Sequence, residues 1–136
     1  MEWMILPYTR YFDFSGRSRR QEYWMFTLLY VLVALFFGGF MIGGIVGLES
    51  NQTPGPVFWI GFAGLMLFLL ASLIPSIAVA VRRFHDQDQS GWMYLLSFIP
   101  SVGSIVLIVF MCLDGTKGEN RFGPDPKDPS SADIFA

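Results

Sequence analysis

The sequence predicts an all-α integral membrane protein with three hydrophobic helical segments, the third broken or re-entrant at Pro100. Composition is the first observation. Of 136 residues, 53% are hydrophobic and 15% charged, and mean hydropathy is +0.48. A soluble domain carries about 25% charged residues. Segregation is the second. No Asp, Glu, Lys, Arg or His occurs at 23–48, 57–81 or 92–113, runs of 26, 25 and 22 residues. About 20 apolar residues cross a bilayer as a helix, and a soluble core helix in so small a chain would keep a polar face.

The first run is preceded by FSGRSRRQEYW, residues 14–24. Ser18 and Gln21 fit a capping box, which starts a helix near Arg19. Glu22 then sits in the first turn, where negative charge suits the helix dipole. Tyr23 and Trp24 suit headgroup depth. This run is too long for the apolar region of a signal peptide and lacks a small-residue cleavage site, so it is expected to stay as an anchor. Gly39, Gly43 and Gly47 recur every four residues. That tandem small-residue pattern predicts close approach of a second helix, more readily from the same chain than from another copy.

The second segment, 57–81, holds another small-residue line at Ser72, Ser76 and Ala80. Pro75 has no N–H for the carbonyl of Ala71 and favours a kink. It leads into RRFHDQDQSGW, residues 82–92. Ser90 is a suitable N-cap for the helix opening at Trp92. The third segment, 92–113, is interrupted at Pro100 and Gly103. It is either one kinked span or a re-entrant hairpin, and re-entrant backbone needs protein or water to cover it.

Basic residues orient the chain. Arg10, Arg17, Arg19, Arg20, Arg82 and Arg83 flank the first two segments on one side, and the loop at 49–56 has no Lys or Arg. The positive-inside rule puts the N-terminus in the cytoplasm and that loop outside. Lys117, Arg121 and Lys127 lie in the tail. Charge favours a cytoplasmic tail and hence a hairpin, whereas length favours a third span. Residues 1–126 read as a single helical membrane domain and 127–136 as a disordered tail.

Chemistry-bearing residues are few. One Cys and one His make neither a disulfide framework nor a zinc site, and neither metal nor other cofactor is expected. Arg17, Arg19, Arg20, Glu22, Arg82, Arg83, His85 and Asp86 are expected to form a polar cluster where the first two helices meet one membrane face, with Glu22 paired to Arg82 or Arg83. Helix capping and headgroup anchoring account for the arginines. His85 beside Asp86 is the one arrangement suggestive of acid–base chemistry, but no nucleophile elbow or phosphate loop accompanies it. Catalytic residues are therefore not assigned and no enzyme is expected. Transporters place ionisable groups inside the membrane, and the three segments hold none.

Four blocks, FSGRSRRQEYW (14–24), RRFHDQDQSGW (82–92), IPSVG (99–103) and GTKGENRFGPDP (115–126), resemble the small bacterial inner-membrane proteins of the "domain of unknown function 805" family. Phe84 stands where Leu is commoner. The resemblance implies a helical protein of the bacterial cytoplasmic membrane. It also groups Gly16, Arg17, Arg20, Glu22, Trp24, Arg82, Arg83, His85, Asp86, Ser90, Gly91, Trp92, Asn120, Gly123 and Pro126 as motif residues, and it supplies no reaction. The expected role is structural, adaptor or regulatory, with the Arg/His/Asp/Glu cluster contacting anionic lipid. A subunit of an oligomeric pore or transporter is the alternative. Expected partners are membrane lipids and a second copy or another membrane protein, with no nucleic acid.

Overall fold

The computed structural model describes residues 2–46 and 53–128. Four α-helices succeed one another: α1 (Glu2–Thr9), α2 (Arg20–Val46), α3 (Pro56–Asp86) and α4 (Gly103–Cys112). A 3-10 segment, Gly91–Phe98, lies between α3 and α4. The only bridge among the described residues is the isolated pair Asn120–Gly123.

α2 and α3 form an antiparallel hairpin of 27 and 31 residues, about 40 and 46 Å long at 1.5 Å per residue. Both exceed the ~30 Å hydrocarbon layer. Their side chains are arranged opposite to those of a soluble bundle. Only 6% and 11% of their most apolar stretches is buried, which rules out a soluble core, where such helices are covered. Leu35, Leu67 and Leu70 point outward at 67%, 70% and 68% exposure. The buried residues include an unusual number of polar ones, Arg17, Ser18, Glu22, Ser72, Arg82, Arg83 and Asp86, beside Phe26, Ala78, Val79, Ala80, Phe84 and Met111. An apolar exterior with charge held inside is that of a helical membrane protein.

The hairpin closes on glycine, but not on the expected ones. A Cβ at Gly39 or Gly43 would meet nothing within 4 Å. A Cβ at Gly44 would lie 2.8 Å from the Phe58 Cα, and one at Gly61 2.8 Å from the Phe37 carbonyl oxygen. The intrachain packing expected of Gly39 and Gly43 thus falls on Gly44, Gly61 and Gly64. Adjacent helical positions differ by about 100°, so a one-residue offset moves the contact to another face. Gly47 lies outside the described residues. Of the second line, Ser72 and Ala80 are buried and Ser76 bonds only its own helix, to the Leu73 carbonyl at 2.8 Å.

α1 is too short to assign from its sequence, yet it packs against both long helices. The Tyr8 and Ser72 hydroxyls are 2.7 Å apart, and the Tyr8 ring meets Phe26 at 5.5 Å. Pro75 leaves the Ala71 carbonyl without its helical donor. The Tyr11 hydroxyl supplies the missing bond at 2.8 Å.

The third hydrophobic segment folds back on itself. Its entry, Gly91, lies against Val81 and the His85 ring. The chain turns through Pro100–Val102, with Ser101 at φ 66°, and returns along α4. Its exit reaches the same end of the hairpin: the Cys112 carbonyl accepts from Arg20 at 3.1 Å and the Leu113 carbonyl from Arg83. The first half is a 3-10 segment, not an α-helix. Eight residues at ~2.0 Å and ten at ~1.5 Å reach about half a bilayer deep. The N-terminal segment, the end of α3 and the tail therefore meet at one end.

Candidate functional site

The meeting point is a polar cap built from four stretches of chain. α2 begins at Arg20, one residue later than the capping box predicts. Ser18 does not cap it: its backbone N–H donates to the Arg82 carbonyl at 3.2 Å, and its buried hydroxyl has no partner among the described residues. This tie sets residues 14–19 against the end of α3, which runs on to Asp86.

Two ionic units occupy the centre. Arg82 Nη2 donates to Glu22 Oε1 at 2.9 Å, with side-chain exposures of 0% and 3%. Arg82 Nη1 also donates to the Asp13 carbonyl at 2.6 Å, which holds the connector after α1. The second unit centres on Asp86. Its Oδ1 accepts from Arg17 Nε at 3.0 Å, and its Oδ2 accepts from Arg83. Arg17 spends its remaining donors on the carbonyls of Thr116 and Gly118, the latter at 2.6 Å. One carboxylate thus joins the N-terminal stretch, α3 and the tail. Buried ions are tolerated when paired and hydrogen-bonded, and the guanidinium fork supplies donors in several directions; the buried Nε groups of Arg82 and Arg83 have no partner among the described residues.

The cap also completes α4. A helix end leaves its last carbonyls without donors. Here Gln87 donates to the Phe110 carbonyl, Arg20 to Cys112 and Arg83 to Leu113. Positive charge at that end also complements the helix dipole. The arginines therefore hold the returning arm of the re-entrant segment.

His85 and Asp86 point to different sides. The His85 Nδ1 lies 3.2 Å from the Gly16 carbonyl oxygen, and its ring stacks on Phe122 at 3.9 Å and 4°. Asn120 Nδ2 donates to the His85 carbonyl at 2.9 Å. The imidazole and the carboxylate thus have separate partners and form no acid–base pair. Ser90 accepts from the Trp92 N–H at 3.4 Å, capping the 3-10 segment.

The rim is more open. Arg20 Nη2 pairs with Asp114 at 3.0 Å, at side-chain exposures of 44% and 63%. Arg19 donates to the Pro126 carbonyl and lies 5.5 Å over the Trp3 ring. Burial alone would raise the Asp13 carboxyl, but the Ser15 hydroxyl and the Arg10 guanidinium at 2.6 Å outweigh it and bring the pKa to about 2. A hydrogen bond from Lys127 holds Asp114 below the usual carboxylate range.

The structure thus brings Arg17, Glu22, Arg82, Arg83 and Asp86 into two neighbouring buried ion-pair units. Arg19 and Arg20 stand at their edge, and His85 on a neighbouring face. It also recruits tail groups that charge patterning did not single out, namely Gly115, Thr116 and Gly118. A Cβ at Gly115 would collide with the Asp86 carboxylate. Among the described residues, no group of three or more His, Cys, Asp and Glu side chains converges to hold a metal ion.

Fold and cap together define a small helical membrane protein with two bilayer-length helices, a shorter returning segment and an arginine–carboxylate lock at one end. The chain belongs to the DUF805 family, described as proteins of unknown function, whose model matches residues 11–124. It is similar to the inner membrane protein YhaI of Escherichia coli strain K12, 44% identical over 127 residues that cover 93% of this chain and 97% of that protein. It is also similar to the inner membrane protein YhaH of the same strain, 41% identical over 127 residues that cover 93% of this chain and 98% of that protein. The uncharacterized protein YiiR is 27% identical over 143 residues, covering 86% and 88%. No solved structure matches the chain.

Proposed function

We propose that the chain is a multi-pass protein of the bacterial inner membrane with a structural or adaptor role, its N-terminus, polar cap and tail on the cytoplasmic side. The observation that carries this reading is the closure of the ionic network. Glu22 and Asp86 are taken up by Arg82, Arg17 and Arg83 at 3% side-chain exposure or less. A site that does chemistry keeps a group open to substrate; this network spends its groups on holding chain segments together. It presents residues 115–126 as a shaped surface at the membrane. The names of the YhaI and YhaH relatives support the inner membrane, and the basic residues gathered at the cap end support its cytoplasmic placement.

Headgroup contact is narrower here than six arginines suggest. Arg17, Arg82 and Arg83 are buried and cannot meet a phosphate. Arg20 remains half-exposed one turn from Trp24, which is 40% exposed, a basic and aromatic pair suited to the interface. Anionic lipid contact is assigned to this rim.

Two measurements test the reading. Reporter fusions after Thr53 and after Phe122 should place the first outside and the second in the cytoplasm; the reverse pattern refutes the orientation. Asp86→Asn should lower protein abundance and thermal stability in parallel. An Asp86→Asn protein of normal stability that had lost an activity would make the cluster a reactive site instead of a lock.

A further inference from the structure

Below the cap, between α2, α3 and the returning segment 91–113, lies a cleft of about 190 Å³. Its origin is topological. α2 and the Gly91–Phe98 segment both pack on α3 without packing on each other. The gap between them is lined by Tyr23, Thr27, Tyr30, Ser76, Tyr94 and Leu107, among others. The Thr27 and Ser76 hydroxyls are engaged on their own helices, each donating to a carbonyl at 2.8 Å. The hydroxyls of Tyr30 and Tyr94 are different. Among the described residues neither has a hydrogen-bond partner, whereas those of Tyr8 and Tyr11 do. Their rings are nonetheless held, Tyr30 against Phe68 at 5.4 Å and Tyr94 against Phe98 at 6.2 Å.

Three phenols line the cleft, Tyr23, Tyr30 and Tyr94, and the last two, from α2 and the Gly91–Phe98 segment, face it with their donors unused. A phenol keeps its proton until about pH 10, so both are donors at neutral pH, and in a hydrocarbon medium such a donor gains by finding an acceptor. No Asp, Glu, Lys, Arg or His lines the cleft, so nothing there compensates a charged ligand. The walls belong to elements with exposed apolar side chains, Val31, Leu73 and Leu95 at 46%, 55% and 53%, so lipid is the surrounding medium. Ser76 lies about 15 Å along α3 from Asp86, below the charged level.

We infer that this cleft binds the carbonyl end of a neutral membrane lipid, with the Tyr30 and Tyr94 hydroxyls donating to the carbonyl oxygen. The volume suits a head of this kind, and the attached apolar tail continues into the bilayer. The ester carbonyl of a glycerolipid and the ring carbonyl of an isoprenoid quinone share this chemistry.

The test uses the full chain in nanodiscs of diether phosphatidylcholine, which has no ester carbonyl. One arm adds a short-tailed benzoquinone and the other a diacylglycerol. Ligand retained after gel filtration is quantified by mass spectrometry. Saturable retention near one per chain is expected in one arm, and that arm names the source. Tyr30→Phe/Tyr94→Phe should weaken it about tenfold, the loss of two neutral hydrogen bonds, at an unchanged thermal midpoint. Ser76→Leu, which fills the cleft, should abolish it. Unsaturable partitioning in both arms overturns the inference, as does equal retention by the double variant. If Ser76→Leu fails to fold, the double variant decides, because losing two hydroxyls leaves the packing of both rings in place.

Discussion

Replacing Glu22 probes the cap most directly. Glu22→Gln preserves shape and removes the charge facing Arg82. The guanidinium then remains at 0% exposure with neutral acceptors alone, the glutamine Oε1 and the carbonyls of Asp13 and Arg10 at 2.6 and 3.4 Å, and no carboxylate paired to it. Removing one member of a buried ion pair is destabilising by about 3–5 kcal/mol. Total stabilities are about 5–15 kcal/mol, so the loss is a large fraction. Glu22→Arg should be worse, because it sets two guanidiniums against each other in the same sealed space. Adding Arg82→Glu should restore part of the stability. Recovery stays incomplete, since the Asp13 carbonyl that accepts from Arg82 would then face a carboxylate. Arg83→Glu should rescue nothing, because Arg83 pairs with Asp86. The assay is the thermal midpoint in detergent, together with size-exclusion profile and membrane abundance. The reasoning fails if Glu22→Gln lies within about 0.5 kcal/mol of the parent, the range of surface substitutions, or if Arg83→Glu rescues as well as Arg82→Glu.

Three further outcomes are expected. Gly44→Leu should lower the thermal midpoint sharply, because its side chain would enter the Phe58 backbone, while Gly43→Leu, with nothing within 4 Å, should leave it unchanged; the opposite order would place the interface on the other glycine face. Tyr11→Phe should destabilise by about 0.5–1.5 kcal/mol, the net value of one hydrogen bond, and introducing Pro75→Ala alongside should shrink that effect, because a helical N–H then reaches the Ala71 carbonyl. Asp13 has a folded pKa of about 2, below the usual ~3.9. Its contribution is thus complete above about pH 4 and is lost as pH falls through 2. Thermal melts at pH 7 and pH 3 should diverge less for Asp13→Asn than for the parent, and an equal divergence would contradict the assignment.

Sequence alone determined the solvent, the two long helices and the cast of the cap. Three charge-free runs dictate helices, because hydrocarbon offers backbone groups no other partners than those of their own helix. Pro100 and Gly103 mark the interruption of the third run for the same reason in reverse. The charged residues beside the runs mark where the chain leaves the apolar layer, which assembles Arg17, Glu22, Arg82, Arg83 and Asp86 near one end before any contact is known. Direction around the helix axis was not legible. α2 and α3 are apolar on all sides, so no amphipathic stripe distinguishes Gly44 from Gly43. Nor does composition distinguish Arg82 from Arg83 as the partner of Glu22; about 100° of helical rotation separates them, and packing against Gly44, Gly61 and Gly64 sets which one faces it. The returning path of residues 91–113 was decided likewise in three dimensions, where Arg20, Arg83 and Gln87 donate to the carbonyls that end α4. Of residues 127–136, read as a disordered tail, Lys127 donates to Asp114 at 3.0 Å and the Asp128 N–H to the Asp125 carbonyl at 3.0 Å, and 129–136 lie outside the described residues. Tertiary structure also turned a cluster suited to headgroups into a lock. Whether an arginine meets a phosphate or a carboxylate depends on burial, which only the packing of four separate stretches of chain could set.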